Sequence, residues 1–231
     1  MLNVKEIFFS IQGEGPYAGK PAMFIRLAGC PLKCRLGSGI CDTDFVNGTK
    51  MSESFIMSSL LDRTVNKCDP IIPMLVVITG GEPLAQDISG LVSMLLQPFN
   101  GWNFYVQIET SGVTCHENNF KVLEDVTIVC SPKTPKIVER LKELIFCYKY
   151  VSKKGPVDED GLPVELLSGS ADLKIFRDSE MLKQCPGAIY LSPMDEGDKK
   201  KNQENLKYVA ELCMQNGWSV SMQLHKIIGL R

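Results

Sequence analysis

The sequence predicts a parallel α/β fold, either an open sheet or a barrel. Extended and helical patterns alternate along the chain, which is typical of strands that are joined through helices. A continuous apolar run at 74–78 stops at two glycines, as a strand buried on both faces does. Short polar motifs follow several of the predicted strands, where α/β folds gather their functional sites.

Each element follows from its local residue pattern. Segments rich in β-branched and aromatic residues are predicted as strands, and segments with apolar residues three or four apart are predicted as helices. The helix at 52–65 begins at Ser52, a candidate N-cap. The apolar face of this helix is predicted to hold Phe55, Ile56, Leu60 and Leu61. The predicted strands are 4–9, 23–27, 74–78, 104–108, 126–129, 173–176, 188–191 and 218–222, the helical segments are 52–65, 88–96, 137–144 and 205–215, and 152–170 is predicted to be a loop.

Composition places the chain among ordinary globular proteins. Its 231 residues, 44% of them hydrophobic, suffice for a buried core in one domain, 1–231, or at most two small ones. The 25 basic and 27 acidic residues leave no basic excess for nucleic-acid phosphates. The sequence has neither an apolar run near the roughly 18 residues of a membrane span nor a signal-peptide layout at its start. We therefore expect a soluble, cytoplasmic protein with no nucleic-acid or membrane partner.

Four polar motifs end four of the predicted strands. Because the carboxyl ends of parallel strands lie at one edge of a sheet, we expect these motifs to line one site. The motifs are Gly80-Gly81-Glu82-Pro83, Glu109-Thr110-Ser111-Gly112, Ser131-Pro132-Lys133 and Ser192-Pro193-Met194-Asp195.

Three of the nine cysteines are clustered, at Cys30, Cys34 and Cys41. An odd number of cysteines without a secretion signal argues against a disulfide framework. Three thiolates in a loop after a strand suit a metal centre. A closed zinc site needs a fourth ligand, and the two histidines, His116 and His225, are remote in sequence. An iron–sulfur cluster held by three cysteines would leave one iron open to an outside ligand.

The cysteine cluster, followed by Thr79-Gly80-Gly81-Glu82-Pro83, resembles the radical S-adenosylmethionine (SAM) enzymes. Further motifs narrow the resemblance to the 7-carboxy-7-deazaguanine synthase family. Each motif is weak alone, but their order from residue 9 to the last residue is specific. They are Phe9-Ser10-Ile11-Gln12-Gly13-Glu14-Gly15, Arg26, Cys41-Asp42-Thr43-Asp44, Ser131-Pro132-Lys133, Ser192-Pro193-Met194-Asp195 and the ending Gln223-Leu224-His225-Lys226-Ile227-Ile228-Gly229-Leu230-Arg231.

The resemblance implies an incomplete, modified TIM-like (β/α) barrel of the radical SAM type. It implies a lyase that converts 6-carboxy-5,6,7,8-tetrahydropterin to 7-carboxy-7-deazaguanine with loss of ammonia, in queuosine-type 7-deazapurine biosynthesis. The implied cofactors are a [4Fe-4S] cluster, SAM and Mg²⁺, with SAM cleaved to a radical that abstracts hydrogen from the pterin C6. The implied partners are the pterin substrate, an external flavodoxin-like electron donor and a second copy of the chain in a homodimer.

The resemblance also implies a role for individual residues. Cys30, Cys34 and Cys41 would ligate the cluster, and Thr43 would bind Mg²⁺. The implied SAM contacts are Ile40, Cys41, Asp42, Gly80, Gly81, Glu82, Glu109, Ser111, Ser131, Pro132, Lys133, Ser192, Pro193, Met194 and Asp195. The implied substrate contacts are Ile11, Gln12, Gly13, Glu14, Arg26, Thr79, His225 and Arg231.

The chemistry of several of these residues agrees with their implied roles. Gln12 and Glu14 offer amide and carboxylate groups to the donor and acceptor edge of a pterin. Arg26 lies in a mostly apolar predicted strand, where its charge is costly without a partner, and its guanidinium can pair with a carboxylate in bidentate fashion. Lys133 can face the carboxylate of SAM, and Ile40 offers an apolar surface to its adenine.

Two positions depart from the family pattern, and other functions stay open. The gap between Cys34 and Cys41 is six residues, which Gly37-Ser38-Gly39 makes flexible, and Ser192 stands where the family often has glutamine. His225 can instead be a structural histidine, and Thr43 a capping residue. The alternative enzyme is an activase that installs glycyl radicals, and the alternative from another class is a zinc-binding structural module.

Overall fold

The structure, a computed structural model, describes residues 1–32, 34–36, 39–40, 46–64, 73–168 and 175–230. The strands are β1 (Leu2–Ile11), β2 (Pro21–Leu27), β3 (Arg35–Leu36), β4 (Gly39–Ile40), β5 (Thr49–Met51), β6 (Met74–Gly80), β7 (Phe104–Thr110), β8 (Thr127–Cys130), β9 (Ile145–Ser152), β10 (Ile189–Pro193) and β11 (Ser219–Val220). The α-helices are α1 (Glu53–Thr64), α2 (Ser89–Leu95), α3 (Ser179–Gln184), α4 (Lys199–Asn216) and α5 (Leu224–Ile227). Short 3₁₀ turns lie at Gly15–Tyr17, Pro83–Ala85, Glu117–Lys121, Leu123–Asp125, Glu139–Leu144 and Pro186–Ala188.

One sheet of nine strands organises the described residues, in the order β11-β10-β9-β8-β7-β6-β2-β1-β5. Every neighbouring pair from β2 to β11 is parallel, whereas β1 pairs antiparallel with β2 and with β5. The two outer strands, β11 and β5, are not paired with each other, so the sheet is open within the described ranges. The parallel strands therefore bring their carboxyl ends to one edge.

The main core lies on one face of this sheet, under α1, α2 and α4. The middle strand β6 is apolar on both faces: Leu75, Val76, Val77 and Ile78 are all fully buried. The opposite face holds a smaller apolar cluster around Ala22 and Phe24. No helix in the described part of the chain is both long enough and apolar enough to cross a membrane.

Most predicted elements are confirmed, and the Ser52 cap is among them, because its hydroxyl accepts from the Phe55 amide at 3.2 Å. The prediction that Phe55 belongs to the buried face of α1 is wrong. Phe55 is 55% exposed, whereas Ile56, Met57 and Leu60 are fully buried. The buried face of α1 therefore contains Ile56, Met57 and Leu60 and leaves Phe55 at the surface.

Three further predictions are corrected. No strand was predicted at Ile145–Ser152, yet β9 lies in the middle of the sheet between β8 and β10. The described part of the strand predicted at 173–176 is irregular, because the Phe176 amide donates to the Thr134 carbonyl instead of joining a ladder. The segment at 137–144 is only partly helical, as a 3₁₀ turn over Glu139–Leu144. The predicted loop at 152–170 is confirmed over its described part.

Candidate functional site

A cavity of about 650 Å³ opens at the carboxyl ends of the parallel strands. All four polar motifs contribute to its wall, as the sequence predicts. The predicted site residues that line it are Ile11, Gln12, Glu14, Arg26, Cys30, Cys34, Thr79, Gly80, Gly81, Glu109, Ser111, Ser131, Lys133, Ser192, Pro193, Asp195 and His225. Gly13, Glu82, Pro132 and Met194 are not part of this wall. Cys41, Asp42, Thr43 and Arg231 lie outside the described residues, and Ile40 is described only through the backbone pairing of β4.

The end of β6 lies directly against the chain that leads to the cysteines. The Gly81 amide donates to the Leu27 carbonyl at 3.0 Å, and the next amide donates to the Gly29 carbonyl at 2.9 Å. A Cβ at Gly80 would lie 2.2 Å from the Leu27 oxygen, and one at Gly81 would lie 1.9 Å from the Gly29 oxygen. Glycine is required at both positions because the backbone itself occupies the space.

Glu82 is fully buried behind the cavity wall. Its carboxylate accepts from the Thr110 hydroxyl at 2.6 Å, and from the Ser111 amide and hydroxyl at 2.9 and 2.5 Å. Burial raises the pKa of Glu82, and the hydrogen bonds from Ser111 and Thr110 oppose that rise. The side chain thus ties the end of β6 to the end of β7, and its predicted contact with SAM stays a prediction.

Glu109 is the centre of a hydrogen-bond network on the wall of the cavity. One carboxylate oxygen accepts from the Gln12 amide at 3.0 Å and from the Gln107 amide at 3.1 Å. The other accepts from the Thr79 hydroxyl at 2.8 Å. The Gln12 side-chain oxygen, Oε1, in turn accepts from the Glu14 backbone amide at 3.2 Å. Residues from β6, β7 and the segment after β1 are therefore held together.

Lys149 is a site residue that the sequence analysis missed. It lies on β9 and lines the cavity, and its ammonium lies 2.5 Å from a Glu14 carboxylate oxygen. Burial opposes its charge, but the Glu14 and Glu109 carboxylates raise the pKa of Lys149 above its usual value. The available signal was a lone lysine inside the apolar and aromatic run Ile145–Ser152, the same signal that singled out Arg26.

Lys133 reaches the cavity from the end of β8. Its ammonium donates to the Ser131 hydroxyl at 2.5 Å and to the Ser131 carbonyl at 3.1 Å. Burial and the nearby Lys149 ammonium lower the pKa of Lys133 to about 8. The arrangement holds a cation against uncharged oxygen atoms, which is a favourable place for an incoming anion.

Arg26 lines the cavity from β2 and is held there by Glu6, which the sequence analysis also missed. The Arg26 Nε donates to the Glu6 carboxylate at 2.8 Å, and the guanidinium lies 5.5 Å from the centre of the Phe8 ring. A bulge in β1 between Val4 and Glu6 shifts the register and sets Glu6 opposite Arg26. The predicted pairing of Arg26 with a substrate carboxylate stays a prediction.

His225 enters the cavity from α5 and lies against the backbone of Gly13. A Cβ at Gly13 would lie 2.1 Å from the His225 Nδ1, so the close approach requires glycine. The Leu224 amide donates to the Gly13 carbonyl at 3.2 Å and joins the same two segments. The next residue, Lys226, lies 3.8 Å from the Asp195 carboxylate.

The donor set at the cavity fits the cofactors that the sequence predicts. Cys30 and Cys34 both line the wall, and thiolates are the ligands of iron–sulfur clusters. Ser192, 2% exposed, presents a buried hydroxyl that has no hydrogen-bond partner among the described residues. A buried hydroxyl without a partner on the wall of a cavity suits a polar ligand. Within the described ranges no group of three metal-ligating side chains is assembled, and Cys41 and Thr43 lie outside them.

The chain is also similar to known proteins. No family model matches the chain. The chain is 34% identical over 234 residues to the 7-carboxy-7-deazaguanine synthase of Rickettsia prowazekii, covering 99% of this chain and 88% of that protein. It is 33% identical to the 7-carboxy-7-deazaguanine synthase of Rhodospirillum rubrum, covering 98% and 92%.

The fold is similar to the crystal structure of QueE from Escherichia coli, with a TM-score of 0.60 and 23% sequence identity. The likeness covers 96% of this chain and 93% of that one. Together with the open nine-stranded sheet of the described residues, it confirms the predicted incomplete TIM-like barrel.

Proposed function

This chain belongs to the 7-carboxy-7-deazaguanine synthase family, and we propose that it catalyses the reaction for which that family is named. The reaction is the ring contraction of 6-carboxy-5,6,7,8-tetrahydropterin to 7-carboxy-7-deazaguanine with loss of ammonia, in queuosine-type 7-deazapurine biosynthesis. The observation that supports it most is the joint placement of Cys30, Cys34 and the Gln12–Glu109 network on one cavity wall. Two of the proposed cluster ligands and a set of hydrogen-bonding groups suited to a pterin therefore line one cavity.

For the cofactors, we propose that Cys30, Cys34 and Cys41 hold a [4Fe-4S] cluster and that Thr43 holds Mg²⁺ beside the substrate carboxylate. When bound, the reduced cluster and SAM together supply the carbon radical that starts the rearrangement. Lys133 would pair with the carboxylate of SAM, because within the described residues the hydrogen bonds of its ammonium go to uncharged oxygen atoms of Ser131 and Pro132. The remaining proposed SAM contacts are Ile40, Asp42, Gly80, Gly81, Glu82, Glu109, Ser111, Ser131, Pro132, Ser192, Pro193, Met194 and Asp195.

For the substrate, the cavity wall provides hydrogen-bond acceptors for the pterin ring and, on β2, a cation for the substrate carboxylate. The Glu109 and Glu14 carboxylates and the Gln12 amide suit the N–H donors of a pterin ring. Arg26, held from one side by Glu6, suits the substrate carboxylate. His225 closes the cavity from α5, and we propose that Ile11, Gly13, Thr79 and Arg231 complete the substrate contacts.

The proposal extends to the domain organisation, the oligomeric state and the electron donor. We propose one radical SAM domain over 1–231, which acts in the cytoplasm as a homodimer. An external flavodoxin-like protein would supply the electron that reduces the cluster. Neither nucleic acid nor a membrane takes part in this proposed function.

The test is an anaerobic turnover assay after cluster reconstitution. The assay contains SAM, a reductant, Mg²⁺ and 6-carboxytetrahydropterin, and the product is followed by its mass. We expect 7-carboxy-7-deazaguanine to form. Cleavage of SAM without this product would overturn the substrate assignment, and no cleavage by protein that carries the cluster would overturn the radical SAM assignment. A Cys41→Ala variant is expected to lose SAM cleavage.

A further inference from the structure

Lys149 is a buried cation in a strand whose neighbouring side chains are apolar or aromatic, so hydrophobic packing does not account for a lysine there. It is 8% exposed on β9, and its strand neighbours Tyr148 and Tyr150 are buried at 0% and 1%. A charge in this position is costly unless it is paired. The pairing is with Glu14, which is 135 residues away in sequence, at an Nζ–Oε2 distance of 2.5 Å.

Glu14 in turn belongs to the chain of hydrogen bonds on the cavity wall. Its backbone amide donates to Gln12 at 3.2 Å, and Gln12 donates to Glu109 at 3.0 Å. The Glu14 and Glu109 carboxylates both line the cavity, where their like charges repel each other. The Lys149 ammonium is the counter-charge that offsets this repulsion.

We propose that Lys149 is a positioning residue for pterin recognition, acting through Glu14. Its ammonium holds the Glu14 carboxylate in place, so that Glu14, Gln12 and Glu109 together present acceptor atoms to the N–H donors on the pyrimidine edge of the ring. This inference rests on the proposed function, because it assigns the substrate edge that this network binds. A direct contact between Lys149 and the substrate is a different role, and the experiment separates the two.

The experiment measures binding of 6-carboxytetrahydropterin to the reconstituted, SAM-loaded protein by anaerobic calorimetry. The variants are Lys149→Met, Glu14→Gln and the double variant, with Lys153→Met as the control. Lys153 is a matched control because it also pairs with a carboxylate, that of Glu165, but outside the cavity wall.

We expect Lys149→Met to weaken pterin binding at least tenfold, while SAM binding changes less than twofold. The double variant is expected to bind the pterin at least as well as Glu14→Gln alone, because a neutral side chain at position 14 needs no counter-charge. The control is expected to bind like the unchanged protein.

Two outcomes would overturn the inference. In one, folded Lys149→Met binds the pterin within twofold of the unchanged protein. In the other, the double variant binds at least tenfold more weakly than Glu14→Gln, which would make Lys149 a direct ligand. This second comparison decides the question even if Lys149→Met alone does not fold. Failure of the unchanged protein to bind the pterin would overturn the proposed function and this inference with it.

Discussion

Lys133, just after β8, and Lys149, on the neighbouring strand β9, reach the same cavity, but their ammonium groups have different partners. Lys149 contacts the Glu14 carboxylate, whereas Lys133 contacts the hydroxyl and carbonyl of Ser131. The pKa values of the two ammonium groups differ accordingly. Glu14 and Glu109 raise the pKa of Lys149 in spite of its burial, and burial together with the Lys149 charge lowers the pKa of Lys133 to about 8.

The difference shows that burial alone does not decide the protonation state of a lysine. The charge of Lys149 is paired with the Glu14 carboxylate of the same chain, so we regard Lys149 as a residue that supports the site. Within the described residues, the hydrogen bonds of Lys133 go to neutral oxygen atoms, so an external carboxylate would be the first full counter-charge in direct contact with its ammonium. One lysine therefore organises the cavity, and the other is placed to receive a ligand.

The largest expected effect comes from removing the compensated charge. Lys149→Met would leave the partly buried Glu14 carboxylate without its partner, and we expect the free energy of unfolding to fall by about 3 kcal/mol. Urea unfolding at pH 7.5 measures this loss. Lys153→Met removes a lysine from a pair exposed at 39% and 47%, so it is expected to cost less than about 1 kcal/mol. Equal losses in the two variants would contradict the contrast between the lysines.

Removing the other lysine is expected to affect a ligand more than the fold. Lys133→Gln would lose a charge-assisted contact worth about 1.5–3 kcal/mol, which corresponds to SAM binding about 10- to 100-fold weaker. Equilibrium binding of SAM to the reconstituted protein measures it. Lys136→Gln, a nearby exposed position, is the control. Unchanged SAM affinity in Lys133→Gln would show that Lys133 does not bind the SAM carboxylate.

A third variant disturbs the partner of Lys149 without changing a charge. In Gly13→Ala the new methyl group would collide with the His225 ring, which must displace either His225 or the segment that carries Glu14. We expect kcat/KM for the pterin to fall about tenfold, because a small displacement of a positioning group is costly. Gly187→Ala is the control, since a Cβ there meets no atom within 4 Å. Unaltered kcat/KM would mean that the close approach is not needed for turnover.

The smallest expected effect is on the pH dependence of stability. Below about pH 8 Lys133 is protonated in both the folded and the unfolded chain. Between about pH 8 and the unfolded pKa of 10.5 the folded chain has lost this proton while the unfolded chain keeps it, so Lys133 makes stability rise with pH in this window. Relative to Lys133→Gln, the Tm of the unchanged protein should therefore rise by about 3–5 °C per pH unit in this window, because one proton of difference contributes about 1.4 kcal/mol per pH unit.

Thermal unfolding of both proteins at pH 7.5, 9 and 10 would measure this difference. The comparison of two variants at each pH cancels the groups that they share. The opposite trend would place the Lys133 pKa above that of the unfolded chain and remove the contrast with Lys149, which loses its stabilising effect only above pH 10.5.

Local patterns were sufficient for most strands and for placing the four polar motifs at the cavity. Residue type and period identify a buried strand such as β6, and the parallel order then sends the motifs after each strand to one edge. The strand β9 escaped this reasoning because Lys149 interrupts its apolar run and a charged segment precedes it. The exposed Phe55 shows the same limit, because a residue's hydrophobicity does not say which side of a helix meets the core.

By itself, the sequence determined the fold class, the cysteine cluster and the motifs that mark the family. Only the tertiary structure decided which of the charged residues became partners. Glu14 meets Lys149 because β9 passes the segment after β1, Glu6 meets Arg26 because a bulge shifts the register, and His225 meets Gly13 because the side chain there is absent. Such pairings depend on distances between remote segments, which no local pattern encodes, and a buried charge finds its partner only once the strands have assembled.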